Sequence, residues 1–334
     1  MTNAASREYE PRVTNVFRRR AHRLGYDSPV TDSEDSALRE RVSGRVVLIT
    51  GASSGIGEAL AKRLGFAGAT VLLVARSAEK LEEIKRTIEE RGGMAFVYPA
   101  DLSNAEDTQH LIAAVLEEQG HVDILVNNAG ISIRRSVQKS YDRVHDFERT
   151  LALNFLGAVR LIMGFLPAMR AQKQGQILNV STVGVQVNVP RYGAYIASKA
   201  ALDAFSRVLA VEALRDGVKV TTIYMPLVKT PMMASTTIYD AFPMRTAEQA
   251  ADLIVVGIIH QPKRVATPVG NLFEFAYGVA PNTIDRVLNA AYQLYPESGD
   301  KKDQAEPLSR DAAMFQRVFK LVTRRAKRRG SRRT

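Results

Sequence analysis

The chain has 334 residues, 46% of them apolar and 24% charged, with a formal net charge of +11 and no cysteine. That length suits one large domain or two small ones at ~100–200 residues each, and the composition supports a buried core and excludes wholesale disorder. Without cysteine there is no disulfide framework, no thiolate zinc site and no cysteine nucleophile, and the five histidines show no metal-ligand spacing, so no metal is expected.

Residues 1–41 form a polar, basic extension in which only Val13, Val16 and Phe17 have helical spacing, followed by Arg18-Arg19-Arg20. From Arg45 the pattern changes. The runs at 45–50, 69–75, 94–100, 123–128, 175–181 and 218–225 are continuously apolar rather than alternating, as strands of a parallel sheet covered on both faces are. Helical segments at 55–66, 77–91, 104–119, 143–171 and 193–215 lie between them. Strand and helix alternate, which predicts an α/β, doubly wound parallel sheet of Rossmann type with about seven strands. Thr246 and Gln249 form a capping box opening a helix to Ile259, 264–268 reads as a last strand, and 269–310 as a helical extension and polar linker.

Gly51, Ser53, Ser54, Gly55, Ile56 and Gly57 lie between the first strand and the first helix of this pattern. Glycines there allow a tight turn and close approach to a pyrophosphate, at a helix end with free N–H groups. The spacing Gly-x-x-x-Gly-x-Gly differs from the common Gly-x-Gly-x-x-Gly. The second strand ends in Arg76, where an acidic residue would hold the ribose 2′-hydroxyl of NAD. An arginine instead accepts a 2′-phosphate, so NADP(H) is the expected cofactor. Asp101 after the third strand is placed to meet adenine, and Asn128, Ala129 and Gly130 after the fourth to line the cofactor.

Tyr195 and Lys199 are one turn apart on a helix. A free tyrosine, with a pKa of ~10, exchanges protons poorly at neutral pH, and a nearby ammonium lowers that value. The pair can thus protonate a carbonyl oxygen that receives hydride. A hydroxyl lies 13 residues earlier, at a strand end.

TGASSGIG, NNAG, Asn154 and YIASK, in this order, resemble the short-chain dehydrogenase/reductase superfamily over about 42–268. The resemblance implies that Tyr195 is the acid, that Lys199 also binds the nicotinamide ribose, and that Asn154 holds a water connecting Lys199 to solvent. It places the carbonyl-orienting hydroxyl at Thr182, where serine is usual, with Ser181 as the weaker candidate. Leu102 and Thr230 join the expected cofactor contacts. Val228 is the expected carboxamide contact, although Met225-Pro226-Leu227 departs from the usual Pro-Gly.

NNAGISIRRSV (127–137), YDRVHDFERTLALN (141–154), SKAALDAFSR (198–207) and IYMPLVKTPM (223–232) are more narrowly similar to bacterial aldehyde-forming fatty acyl-CoA reductases, and the likeness continues into 246–296. This implies a fatty acyl-CoA substrate. A Met-rich apolar lid at 231–245 suits its chain, and Arg134 and Arg135 are positioned for coenzyme A phosphates or for ion pairs with Asp142 or Asp146. The alternatives are a reductase of lipophilic ketones and a non-catalytic cofactor-binding regulatory protein.

The tail 311–334 puts Phe315, Val318, Phe319 and Val322 on one helical face. Residues 317–334 hold nine Lys/Arg and no acid, residues 1–25 six Arg and two Glu, and the body between them is left at −2. Basic ends on a near-neutral body point to an anionic membrane surface rather than to nucleic acid. No apolar run approaches the ~18 residues of a membrane span, and the N-terminus lacks a signal-peptide core. A cytoplasmic homo-oligomer with membrane association through its tails is the expectation.

Overall fold

The computed structural model describes residues 32–230 and 244–294. Seven strands form one sheet: β1 (Val46–Thr50), β2 (Thr70–Ala75), β3 (Met94–Pro99), β4 (Ile124–Asn127), β5 (Gly175–Thr182), β6 (Val218–Met225) and β7 (Arg264–Val265). Their order is β3-β2-β1-β4-β5-β6-β7 and every pairing is parallel. The first six strands match the apolar runs to within one residue.

Continuous apolarity has a direct cause here. In β1, Val47 and Ile49 enter a core shared with α2 (Gly55–Phe66), α3 (Ala78–Glu89) and α9 (Ala247–His260). Leu48, between them, enters the opposite core with α4 (Ala105–Gln119), α6 (Ala158–Ala171) and α8 (Gly193–Glu212). Both faces are covered, so neither can be polar. The strand order reverses between β1 and β4, and the carboxyl ends of these strands open a crevice.

Helix α1 (Asp32–Val42) forms within the polar N-terminal stretch, and its Leu38 and Val42 are buried in the first core. The segment 143–171 is not one regular helix. It comprises α5 (Val144–Leu151), a π-helical turn (Ala152–Gly157) and α6. By length and composition this 28-residue stretch could cross a membrane, though no single apolar run predicts it. Leu161, Ile162, Phe165 and Met169 are buried in the second core, however, which makes α6 a core helix.

The seventh strand is shorter than 264–268, because Thr267 accepts the Gly270 N–H and caps α10 (Pro268–Val279), with Pro268 as its first residue. The helical region after it is two helices. Pro281 cannot continue α10 and instead starts α11 (Pro281–Leu294). The capping box of Thr246 and Gln249 is present at α9. The segment 1–31, most of the apolar lid (231–243), and the linker and tail from 295 to 334 lie outside the described residues.

Candidate active site

The crevice over β1 and β4 has a volume of about 1030 Å³. Its floor begins at the glycine-rich turn, where Gly51 has φ +67°, in the left-handed region that favours glycine. Helix α2 starts hard against this turn: a Cβ on Gly57 would overlap the Gly51 carbonyl oxygen. Ser54, at the helix cap, makes no side-chain capping hydrogen bond among the described residues, and the first turn of α2 lies at the crevice wall.

The turn is braced from β4. Thr50 Oγ1 accepts the N–H groups of Asn128 and Ala129, each at 2.9 Å, and Asn128 Nδ2 donates back to the Thr50 carbonyl at 2.9 Å. The Asn128 side chain is therefore a brace for the turn. Threonine 50 was not singled out from sequence; its position as the last residue of β1, facing β4, is the signal that identifies it.

Arg76 is exposed at the end of β2 and lines the crevice, and among the described residues no hydrogen bond or ion pair engages it. Asp101 stands nearby. The Ser103 hydroxyl (2.6 Å) and N–H (2.9 Å) hold its carboxyl below the ordinary range, with Arg76 a smaller cause in the same direction.

Lys199 Nζ donates to the Val180 carbonyl at 2.8 Å, and burial pushes the ammonium down to about 8. Tyr195 lines the crevice one turn earlier on α8, its ring edge-on to Tyr192 at 6.4 Å. Gly130 closes on this pair from β4: a Cβ there would stand 3.3 Å from Lys199 Nζ and 3.1 Å from Asn154 Oδ1. At the end of β5, Thr182 caps the short helix α7 (Val183–Val187), accepting the Gly184 N–H at 3.1 Å. Ser181 beside it is 2% exposed, and its hydroxyl has no partner among the described residues.

The crevice wall thus collects Gly51, Ser53, Ser54, Gly55, Ile56, Arg76, Asp101, Leu102, Asn128, Ala129, Gly130, Ser181, Thr182, Tyr195, Lys199, Val228 and Thr230. Two expected residues stand behind it. Gly57 packs α2 onto the turn. Asn154, in the π-helical turn, is 1% exposed; its amide accepts from Ile131 N at 2.8 Å and donates to Ile131 O and Ser198 Oγ at 2.9 Å each. A π-turn redirects one side chain out of helical register, and here it directs Asn154 toward the loop after β4.

Arg135 does not line the crevice. It pairs with Asp146 at 3.4 Å, beside Arg143 at 2.8 Å, and together they hold a buried carboxylate. Arg149 lines the wall instead, exposed and without an ion pair among the described residues. Sequence reading also missed Val187, Tyr192 and Phe273, which come to the wall from α7, the approach to α8 and α10.

These features fit a dinucleotide. The turn leaves room only where side chains are absent, the helix end carries no side-chain cap among the described residues, and the Arg76 guanidinium, in no hydrogen bond or ion pair among them, suits a 2′-phosphate. A profile described as short chain dehydrogenase matches residues 45–239. A fatty acyl-CoA reductase of Acinetobacter baylyi is 49% identical over 285 residues, 85% of this chain and 97% of that protein. One from Mycobacterium tuberculosis is 42% identical over 247 residues, 74% of this chain and 81% of that protein. Among solved structures, a metagenomic short-chain oxidoreductase in complex with NADP superposes with a TM-score of 0.59 at 29% identity, over 68% of this chain and 98% of that one. The order of the strands, the glycine turn, the Tyr195/Lys199 pair and these similarities agree, and the chain belongs to the short-chain dehydrogenase family of oxidoreductases.

Proposed function

We propose that the protein reduces long-chain fatty acyl-CoA to fatty aldehyde with NADPH. The observation that carries the reading is the 49% identity to a fatty acyl-CoA reductase across 97% of its length, on a chain whose Tyr195 and Lys199 stand together at the crevice. The volume of about 1030 Å³ is at the top of the ~300–1,000 Å³ range for small-molecule sites.

NADPH, when bound, supplies the hydride. Arg76 would hold its 2′-phosphate, the α2 terminus its pyrophosphate, and Lys199 its nicotinamide ribose. Tyr195 donates a proton to the thioester oxygen as charge develops there. The oxygen of Thr182 accepts from Gly184, and with no acceptor for its O–H among the described residues it would donate to the same substrate oxygen. The neutral wall formed by Val187, Tyr192 and Phe273 suits an acyl chain. Arg149 is the cation best placed for coenzyme A phosphates, since Arg135 is engaged by Asp146.

With no cysteine in the chain, an acyl-thioenzyme is closed as a route, and in this reading hydride reaches the thioester directly, so that coenzyme A leaves after the carbonyl is reduced. Turnover with NADPH on a panel of acyl-CoAs and lipophilic ketones tests the reading. Thiol release from acyl-CoA that requires NADPH supports it. Ketone turnover alone would assign the alternative, and a stoichiometric thiol burst without NADPH would exclude direct reduction.

A further inference from the structure

Helix α10 has two unlike sides. Its polar side is fixed to the body: Gln186 Nε2 donates to Asn271 Oδ1 at 3.0 Å and to Glu274 at 2.9 Å, and Arg264 also donates to Glu274. Gly270 fits directly under Gln186. On the other side Val269, Leu272, Phe275 and Val279 are 62–70% exposed, at the three- and four-residue spacing of one helix face. This stripe is continuous with the crevice, because Val269 and Phe273 line its wall.

Four aligned apolar side chains on a rigidly held helix need an explanation. A second copy of the chain is a poor occupant: a strip one helix wide offers a few hundred Å², against the ~800 Å² per partner of a stable interface. Broader apolar surface for self-association lies on α6 and α8, where Met163, Val208 and Val211 are exposed. Charge favours a different occupant. The chain leaves α11 at Leu294 and runs 40 residues further, and residues 317–334 in that stretch hold nine Lys/Arg and no acid. An apolar stripe close in sequence to a strongly basic tail matches an anionic bilayer, whose headgroups attract the tail and whose acyl boundary accepts the stripe.

We infer that α10 is a membrane-docking helix: Leu272, Phe275 and Val279 enter the interface of an anionic bilayer and bring the crevice mouth, at Val269 and Phe273, to the lipid. The docking stands on the exposed stripe and on the charge of the tail, not on the activity. Only its use, collection of a lipid-borne substrate, rests on the proposed acyl-CoA activity.

The chain has no tryptophan, so Phe275→Trp in the full-length protein gives a single reporter at the stripe. With phosphatidylglycerol-containing vesicles its emission is expected to shift to the blue and to be quenched by brominated lipid, with little change on pure phosphatidylcholine. Leu272→Gln combined with Phe275→Gln is expected to weaken vesicle sedimentation about tenfold, leaving salt-sensitive binding by the tail and normal NADPH affinity. Aqueous emission from position 275 on sedimented vesicles would overturn the inference, as would an absence of binding. Blue emission without vesicles would also overturn it, assigning the stripe to a second copy if it grows with protein concentration and to the chain's own tail if it is lost on truncation after Arg310. Insertion is read without substrate, so intact docking in a protein inactive on acyl-CoA would fail the activity and leave the docking standing.

Discussion

The Lys199 ammonium reaches the Val180 carbonyl oxygen at 2.8 Å from a site only 3% exposed. One hydrogen bond does not replace the water lost, and burial pushes the group from 10.5 down to about 8. The lowered value disfavours the charged form in the folded state. Below pH 8 both folded and unfolded chains carry the proton and the full cost is present. Between pH 8 and 10.5 the unfolded chain binds more protons, so this contribution to stability improves as pH rises. Relative to Lys199→Met, the cofactor-free parent should gain about 3 kcal/mol across that window, at ~1.4 kcal/mol for each pH unit. Thermal melts of both proteins from pH 7 to 10.5 measure it, and a constant difference would refute the burial argument.

Tyr195→Phe removes only the proton donor. Turnover should fall ~10²–10⁴-fold while NADPH affinity stays near normal, as read by NADPH fluorescence. Because the O–H of Thr182, at the crevice wall, has no acceptor among the described residues while Ser181 is almost wholly buried, Thr182→Val should reduce kcat more than Ser181→Ala, and Thr182→Ser should retain most activity.

Arg76 is exposed and unengaged among the described residues, so its replacement should perturb the cofactor and not the fold. Arg76→Asp is expected to weaken NADPH binding by ~1.5–3 kcal/mol, the scale of a charge-assisted hydrogen bond, and to leave NADH binding nearly unchanged. Equal use of the two cofactors by the parent would remove the basis for this assignment.

Arg191 precedes α8 with φ +69°, a strained conformation for a side chain other than glycine. Its guanidinium lies 4.0 Å from the Tyr292 ring centroid and donates to the Tyr292 carbonyl at 2.8 Å, and its own carbonyl accepts from Arg135 N at 2.7 Å. Helix α11 thereby fixes the loop that presents Tyr192 to the crevice. Tyr292→Ala should raise KM for the carbonyl substrate about fivefold, the order of one lost cation–π contact, with NADPH affinity unchanged. A change in both would point to wider unfolding of the extension.

The layered sheet was legible in the sequence because a strand buried on both faces must be apolar at every position, and Val47, Leu48 and Ile49 each face a core. The glycine turn, Arg76 and the Tyr195/Lys199 pair could be expected together at the crevice for a similarly local reason: the turn and Arg76 lie at strand ends, and the pair is one helix repeat apart. Pairings between distant segments carry no such local mark. That Asn154 faces Ile131 rather than lining the wall and that Tyr292 reaches back 101 residues to Arg191 depended on how helices pack, whereas the pairing of Arg135 with Asp146 was one of the alternatives its place in the sequence had left open. The apolar side of α10 shows the same division. Its residues could be read as one helix face from their spacing, but only the packing of Glu274 and Gln186 determined which side meets the body and which is left exposed at the crevice, because burial is decided by the neighbours a face meets and not by its own composition.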